Sequence, residues 1–196
     1  MMEESDKFLI EQAIAGRDDA FQQLIQRYQD LVGQLVWRLI RSEQDREEIC
    51  QDVFLKVYFN LDKFRFDSKF STWLYTVTYR TALSYLRKRK LDTEPFDERI
   101  HDQSAPLQVD DELVGLLQSE ISQLNVDERT SITLYHIHGC SIDEISRVTN
   151  KPAGTIKNLL FRVRKKLKQR LEPFFCDELH GELKYGLHNS SLKGVV

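Results

Sequence analysis

The stretch GCSIDEISRVTNKPAGTIKNLLFRVRKKLKQRL, Gly139 to Leu171, decides the fold of this chain. Ser141 and Glu144 form an S-x-x-E capping box, which starts a helix carrying Ile142, Ile145 and Val148 on one side. Thr149-Asn150-Lys151 reads as a turn, because Asn tolerates left-handed backbone angles. Pro152 suits the first turn of a second helix, since it has no N–H to leave unpaired there. That helix repeats Ile156, Leu160, Val163, Leu167 and Leu171 at steps of three or four, an apolar stripe with a helical period. Its other faces carry Thr155, Lys157, Asn158, Arg162, Arg164, Lys165, Lys166, Lys168 and Arg170. Two helices joined by three residues, with polar groups opening the second and cations beyond, match a helix-turn-helix.

Charge placement turns that motif into a functional expectation. Between Ser141 and Arg170 there are nine Lys or Arg against two Asp or Glu, in a chain whose net charge is −3. Phosphate neutralisation with counterion release gives a physical reason for such segregation. A solvated basic helix end is the ordinary alternative, but it requires neither the capping box, nor the turn, nor the single apolar stripe.

Outward from this hairpin the chain reads as all-α. It has 196 residues, 41% of them apolar, with only 8 Gly and 4 Pro, which suits helical cores rather than disorder or sheets. Residues 1–90 read as an N-terminal helical domain of four helices. The first is capped by Ser5 and carries Phe8, Leu9, Ala13 and Ile14. The second runs from Asp18 to Ile40 on a stripe of Phe21, Leu24, Ile25, Tyr28, Leu31, Val32, Leu35 and Leu39. The third spans Asp45 to Asn60, with Ile49, Val53, Phe54 and Val57 inward. After the aromatic segment LDKFRFDSKF, the fourth opens at Ser71 and ends in RKRK, Arg87 to Lys90, where cations suit the helix dipole. Residues 91–109 lose periodicity, contain Pro95 and Pro106, and are rich in carboxylates, so they read as a flexible acidic linker. Residues 110–172 form the C-terminal helix-turn-helix domain, whose central helix is capped by Asn125 or Asp127, and 173–196 form a tail.

Other chemistries find little support. Cys50, Cys140 and Cys176 are an odd number without a CxxC pair, which fits a reducing compartment. The N-terminus has no signal-peptide pattern and no window reaches the length of a membrane span, so the expectation is a cytoplasmic protein without membrane contact of its own. His136, His138 and Cys140 stand at steps of two, and on a helix they point apart, so a shared metal requires an extended backbone. No nucleophile elbow, phosphate loop or dinucleotide fingerprint occurs, and no catalytic residue, metal or cofactor is expected.

With both halves in view, the chain resembles bacterial sigma factors of the sigma-70 family, extracytoplasmic-function (ECF) group. Two blocks carry the resemblance: DREEICQDVFLKVYFNLDKFRFDSKFSTWLYTVTYRTALSYLRKRK and LNVDERTSITLYHIHGCSIDEISRVTNKPAGTIKNLLFRVRKKL. It implies a subunit that binds core RNA polymerase through the β′ clamp helices and the β flap, takes it to promoter DNA, and is restrained by an anti-sigma factor. The N-terminal domain would hold and melt the −10 element, and the C-terminal domain would read the −35 element.

Residue roles carry over by position. Glu48, Gln51, Asp52 and Lys56 match the clamp-helix contact; unaided by the resemblance they read as a solvated face. Phe66, Asp67, Ser68 and Lys69 match the loop that captures a flipped promoter base, which needs an apolar pocket with polar edges. In the same segment Phe70 and Trp73 read as core. Tyr75, Tyr79, Arg80, Ser84, Arg87 and Lys88 match the single-strand path beyond it, although Tyr75 reads equally as core. Arg80 stands where small polar residues are common. Pro152, Ala153, Gly154, Thr155, Lys157, Asn158 and Arg162 match base and phosphate contacts at the −35 element, with Arg164 and Lys165 continuing that surface. Leu159 stands where the family often has Arg, so either a phosphate contact is missing or Leu159 packs against a neighbouring protein.

Two other function classes compete with this reading. A conventional helix-turn-helix regulator would bind duplex DNA unaided at a palindrome. A helical adaptor touching membrane or RNA with its basic end would leave the aromatic loop unexplained.

Overall fold

The N-terminal half is organised around one long helix that needs three others to cover its apolar stripe. In this computed structural model the described residues are 2–92 and 112–182, with side chains described for 6–89 and 115–173. The linker expected at 91–109 falls almost wholly outside them, as does the end of the tail, 183–196. Among the described residues there are eight α-helices and one 3-10 turn, and no strand.

α2 (Asp18–Leu39) is the axis of the N-terminal unit. Its residues Leu24, Val32, Leu35, Val36 and Leu39 are buried against α1 (Met2–Ile14), α3 (Glu43–Asn60) and α4 (Phe70–Asp92). α1 begins earlier than its sequence suggests, so Ser5 lies within the helix rather than at its cap. The buried pair there is Leu9 and Ile10, while Phe8 and Ile14 are exposed. Asp6 ties α1 to α2 by accepting hydrogen bonds from Arg27 and Tyr28. α3 starts at Ser42, whose hydroxyl accepts from the Asp45 N–H. Ile49, Val53 and Val57 then seal it onto α2 and α4.

In the C-terminal unit, α5 (Glu112–Ser122), α6 (Val126–His136), α7 (Ile142–Thr149) and α8 (Ala153–Glu182) enclose Leu124, Leu134, Ile145, Val148, Ile156, Leu160 and Val163. Of the two candidate caps for α6 the structure uses Asn125, in a reciprocal box with Glu128. The expected box at α7 also forms: Ser141 N–H donates to Glu144 Oε2 at 2.8 Å and Glu144 N–H donates to Ser141 Oγ at 3.2 Å. Asn150 ends α7 in the left-handed region, with φ 54°. Pro152 sits one residue before α8, its carbonyl accepting from the N–H groups of Thr155 and Ile156. α8 continues through Pro173, past the point where the sequence reading opens a tail.

The two units are packed together. α7 lies on α4 and α6 lies on α2. Every residue from Arg129 to Leu134 is buried, all the way round the helix, because α6 is covered by both halves of the molecule.

Candidate nucleic-acid interface

Burying Ile156, Leu159, Leu160, Val163 and Leu167 fixes which side of α8 is left for a partner. Pro152, Gly154, Thr155, Lys157, Asn158, Arg162, Arg164 and Lys165 are exposed, with Ala153 half-buried among them. No atom lies within 4 Å of a Cβ built on Gly154, so the backbone there is open to close approach. Leu159 is 5% exposed and belongs to the chain's own core, so it makes no phosphate contact, and the alternative that it packs against a neighbouring protein is corrected. Phe161, missed in the sequence, stands 69% exposed between these cations. Its helical phase was the available signal, since it falls opposite Ile156 and Val163.

The cations of α8 are not equivalent. Arg170 donates to Glu120 at 2.7 Å and Lys166 lies 3.6 Å from Glu128. Arg164 donates from Nε to His136 Nε2 at 3.1 Å and lies over the Tyr135 ring. That bond requires a neutral His136, and burial together with the Arg164 charge lowers the His136 pKa accordingly. Lys157, Arg162, Lys165 and Lys168 have no carboxylate partner among the described residues and remain available for phosphates.

The loop after the 3-10 turn (Leu61–Lys63) forms a second feature. Phe64 and Phe70 are buried and meet Trp73, with ring centroids 5.5 to 5.6 Å apart. This fits the reading of Phe70 and Trp73 as core. Phe66 is held at φ 60°, rare for an aromatic residue, against Phe64 and beneath Lys7. A cavity of about 300 Å³ opens here, lined by Lys63, Phe64, Arg65, Asp67, Ser68 and Trp73. Its apolar floor and polar rim could take a planar ring. Asp67 and Lys69 are exposed and Ser68 half-buried beside it.

Along α4 the expected strand-path residues divide. Arg80, Ser84, Arg87 and Lys88 are exposed. Tyr75 and Tyr79 are 4% and 3% exposed, covered by the C-terminal unit. The Tyr79 hydroxyl donates to Asp127 Oδ1 at 2.7 Å, and the Tyr75 ring meets that of His138 at 5.1 Å. Burial and the Asp127 carboxylate raise the Tyr79 pKa, and burial raises that of Tyr75.

A third surface runs along α3. Glu48, Gln51, Asp52 and Lys56 are exposed, and Lys56 donates to Asp52 at 3.0 Å. Leu55 and Phe59 continue the same face and are also exposed, Phe59 by 72%. The sequence reading found only its polar half. His136, His138 and Cys140 do not converge: His136 bonds Arg164, His138 meets Tyr75, and Cys140 is buried. Among the described residues no three His, Cys, Asp or Glu side chains are grouped to hold a metal.

Residues 24–91 match the family Sigma-70 region 2, and residues 115–167 match Sigma-70, region 4. The ECF RNA polymerase sigma factor SigW of Bacillus subtilis is 33% identical over 87% of this chain and 98% of its own length. The chain belongs to the sigma-70 family, in its ECF group. The RNA polymerase sigma-H factor of Pseudomonas aeruginosa is 32% identical over 88% of the chain and 97% of its own. The ECF sigma-E factor of Escherichia coli K12 is 33% identical over 86% and 95%. Among solved structures, CnrH in complex with the cytosolic domain of CnrY superposes with a TM-score of 0.65 at 23% identity, covering 86% of this chain and 98% of that one. The sigma factor RpoE from Bartonella quintana, in complex with the anti-sigma factor NepR, gives 0.63 at 23% identity over 78% and 96%. The fold this chain shares with these two structures is the all-helical architecture described above. No described helix is long and apolar enough to cross a membrane.

Proposed function

We propose that this sigma factor binds core RNA polymerase through the α3 face and promoter DNA through two separate surfaces, in the bacterial cytoplasm. Glu48, Gln51, Asp52 and Lys56, with Leu55 and Phe59 beside them, form the polymerase contact; an exposed apolar pair rimmed by charge is typical of a partner surface. The start of α8 enters the major groove at the −35 element. There Lys157, Asn158 and Arg162 meet bases and phosphates, Lys165 and Lys168 meet phosphates, and Phe161 offers a ring to thymine methyl groups. The loop cavity takes a base of the −10 element out of the stack, with Phe64 and Trp73 against its face, Asp67 and Ser68 at its edges, and Phe66 and Lys69 from the same loop meeting the flanking strand. Arg80, Ser84, Arg87 and Lys88 then follow the melted strand, whose backbone the cations neutralise.

The observation that carries this reading is that one chain holds an exposed cationic recognition helix and, in a different unit, an aromatic cavity with polar walls. A regulator of duplex DNA has no use for the second. Reconstitution with core polymerase and run-off transcription from a promoter library tests it: initiation should require this chain, and its absence would sink the reading.

The domain limits remain 1–90, 91–109 and 110–172 in this proposal. An anti-sigma factor restrains the protein, a view supported by the anti-sigma factor NepR bound to the sigma factor RpoE of Bartonella quintana. Affinity capture of the tagged chain from cells without inducing stress should recover such an inhibitor.

A further inference from the structure

We propose that His136 is a positioning residue for the −35 contact, holding the Arg164 guanidinium as a fixed, two-pronged phosphate clamp on the flank of the recognition helix. The inference deepens the function proposed above and rests on it.

Lys157, Phe161, Arg164 and Lys168 follow one another on α8 at steps of four, three and four, and all are exposed. They form one line along the helix, to one side of the buried stripe. α6 packs on α8 and brings Tyr135 and His136 to that line. Arg164 donates from Nε to His136 Nε2 at 3.1 Å, and its guanidinium carbon lies 5.1 Å from the centre of the Tyr135 ring. The Tyr135 and His136 rings meet edge to face, with 4.9 Å between centroids. One edge of the guanidinium is tied and one face is covered. Among the described residues nothing engages its two terminal nitrogens.

Arg164 differs in kind from the other engaged cations of α8. Lys166 and Arg170 face carboxylates, which cancel their charge. A neutral imidazole cancels nothing: it accepts one N–H and leaves the positive charge and a parallel pair of N–H groups for a phosphate. Fixing a long side chain in advance also removes an ordering cost that an unrestrained arginine meets on binding. The imidazole can do this only while Nε2 carries no proton. Burial, and then the Arg164 charge, hold the His136 pKa below its ordinary value, so it is an acceptor at neutral pH. The other elements packed on α6 bring no described counter-charge to it. Arg38 on α2 bears on His138, and Arg41 bears on Arg129. On α7, Arg147 turns to the Asp67 carbonyl, and Glu144 is taken by Ser141, Lys69 and Thr72. His136, set two residues from His138 in a pattern that forms no metal site, is given an arginine by the fold instead.

A double-mutant cycle in the reconstituted polymerase complex tests this, on a promoter returned by the run-off library, with DNA affinity read by fluorescence anisotropy at fixed salt. At about pH 7.5 Arg164→Lys should weaken binding about fivefold, because lysine keeps the charge but not the fork. In a His136→Ala background the same change should cost less than about twofold. His136→Gln, whose amide oxygen stands in for Nε2 as acceptor, should restore the larger cost. At about pH 5 the cost should shrink in the wild-type background, where His136 gains a proton, and persist in the His136→Gln background. Comparing arginine with lysine at each pH cancels the charge that a protonated His136 itself adds. His136 is exposed, so its variants should keep the wild-type circular dichroism. An equal cost of Arg164→Lys in the wild-type and His136→Ala backgrounds would overturn the proposal, as would a wild-type cost that does not change with pH. Run-off transcription with the wild-type chain judges the sigma reading separately: failure there removes the function and this role with it, whereas initiation with equal costs removes only the role of His136.

Discussion

Phe161 and Leu159 lie two residues apart on α8 and face opposite fates. Phe161→Ala should leave stability within about 0.5 kcal/mol of the wild type, as surface changes do, yet reduce run-off transcription from a −35-dependent promoter. Leu159→Ala should do the reverse first, costing about 2–5 kcal/mol in urea denaturation as a buried leucine does. The helical period in the sequence already separated the stripe of Ile156, Leu160 and Val163 from the polar faces. The resemblance offers an arginine at position 159, but the same helical phase that buries Leu160 and Val163 takes Leu159 into the core, leaving no phosphate contact there and no surface for a neighbouring protein. His138 gives a pH test. Burial, with the Arg38 charge nearby, lowers its pKa in the folded chain. Below the unfolded value, about 6.5, the unfolded state therefore holds more protons than the native one, and stability falls with pH. The denaturation midpoint should drop between about pH 7.5 and 5.5, and His138→Gln should flatten that slope.

At the scale of elements, the loop around Phe66 and the cations of α8 make separate demands. Phe66 is held in a backbone region costly for an aromatic residue, by roughly 1–3 kcal/mol, and such strain is retained where function requires it. Phe66→Gly relieves the strain while losing contacts to Phe64 and Lys7, so its melting temperature should stay near wild type while initiation falls. On α8, Lys165→Ala should lower the salt dependence of promoter binding by about one unit of slope, whereas Lys166→Ala, already engaged with Glu128, should change it less. Salt titrations of the reconstituted polymerase complex compare the two. The cap, turn and stripe of the helix-turn-helix were legible because they depend on neighbours in sequence. Which cations stay available was not, because Glu120, Glu128 and His136 reach α8 only through the fold.

For the whole molecule, the division into two helical units was legible in the sequence, but the packing of one unit on the other was not. Glu144 reads in sequence as a local cap, and only the fold shows it also holding Lys69 and Thr72. The Ser141 N–H and hydroxyl, together with Lys69, hold the Glu144 carboxyl below its usual value. Burial pushes Asp127 up, but the hydrogen bonds from Lys151 and Tyr79 outweigh it and lower its pKa as well. Only the contacts from Tyr79 and Lys69 cross between the units, so that part of each carboxylate's stabilisation supports the seam above the ordinary carboxylate range and is lost as pH falls through the depressed values. Solution scattering should show the radius steady from neutrality to about pH 5 and increasing below about pH 4, before helical signal is lost.

The chemistry of the surface between the units has a thermal corollary. Exposing apolar groups to water raises heat capacity, whereas exposing hydroxyls, guanidinium and imidazole lowers it. Arg129, His138, Thr72 and the Tyr79 hydroxyl place the second kind of group at the contact. Parting the units should therefore change heat capacity far less, per unit area, than melting either core. Its equilibrium constant should follow a nearly straight van't Hoff line where global unfolding curves, so variable-temperature scattering can tell the parting of the two halves from the melting of either.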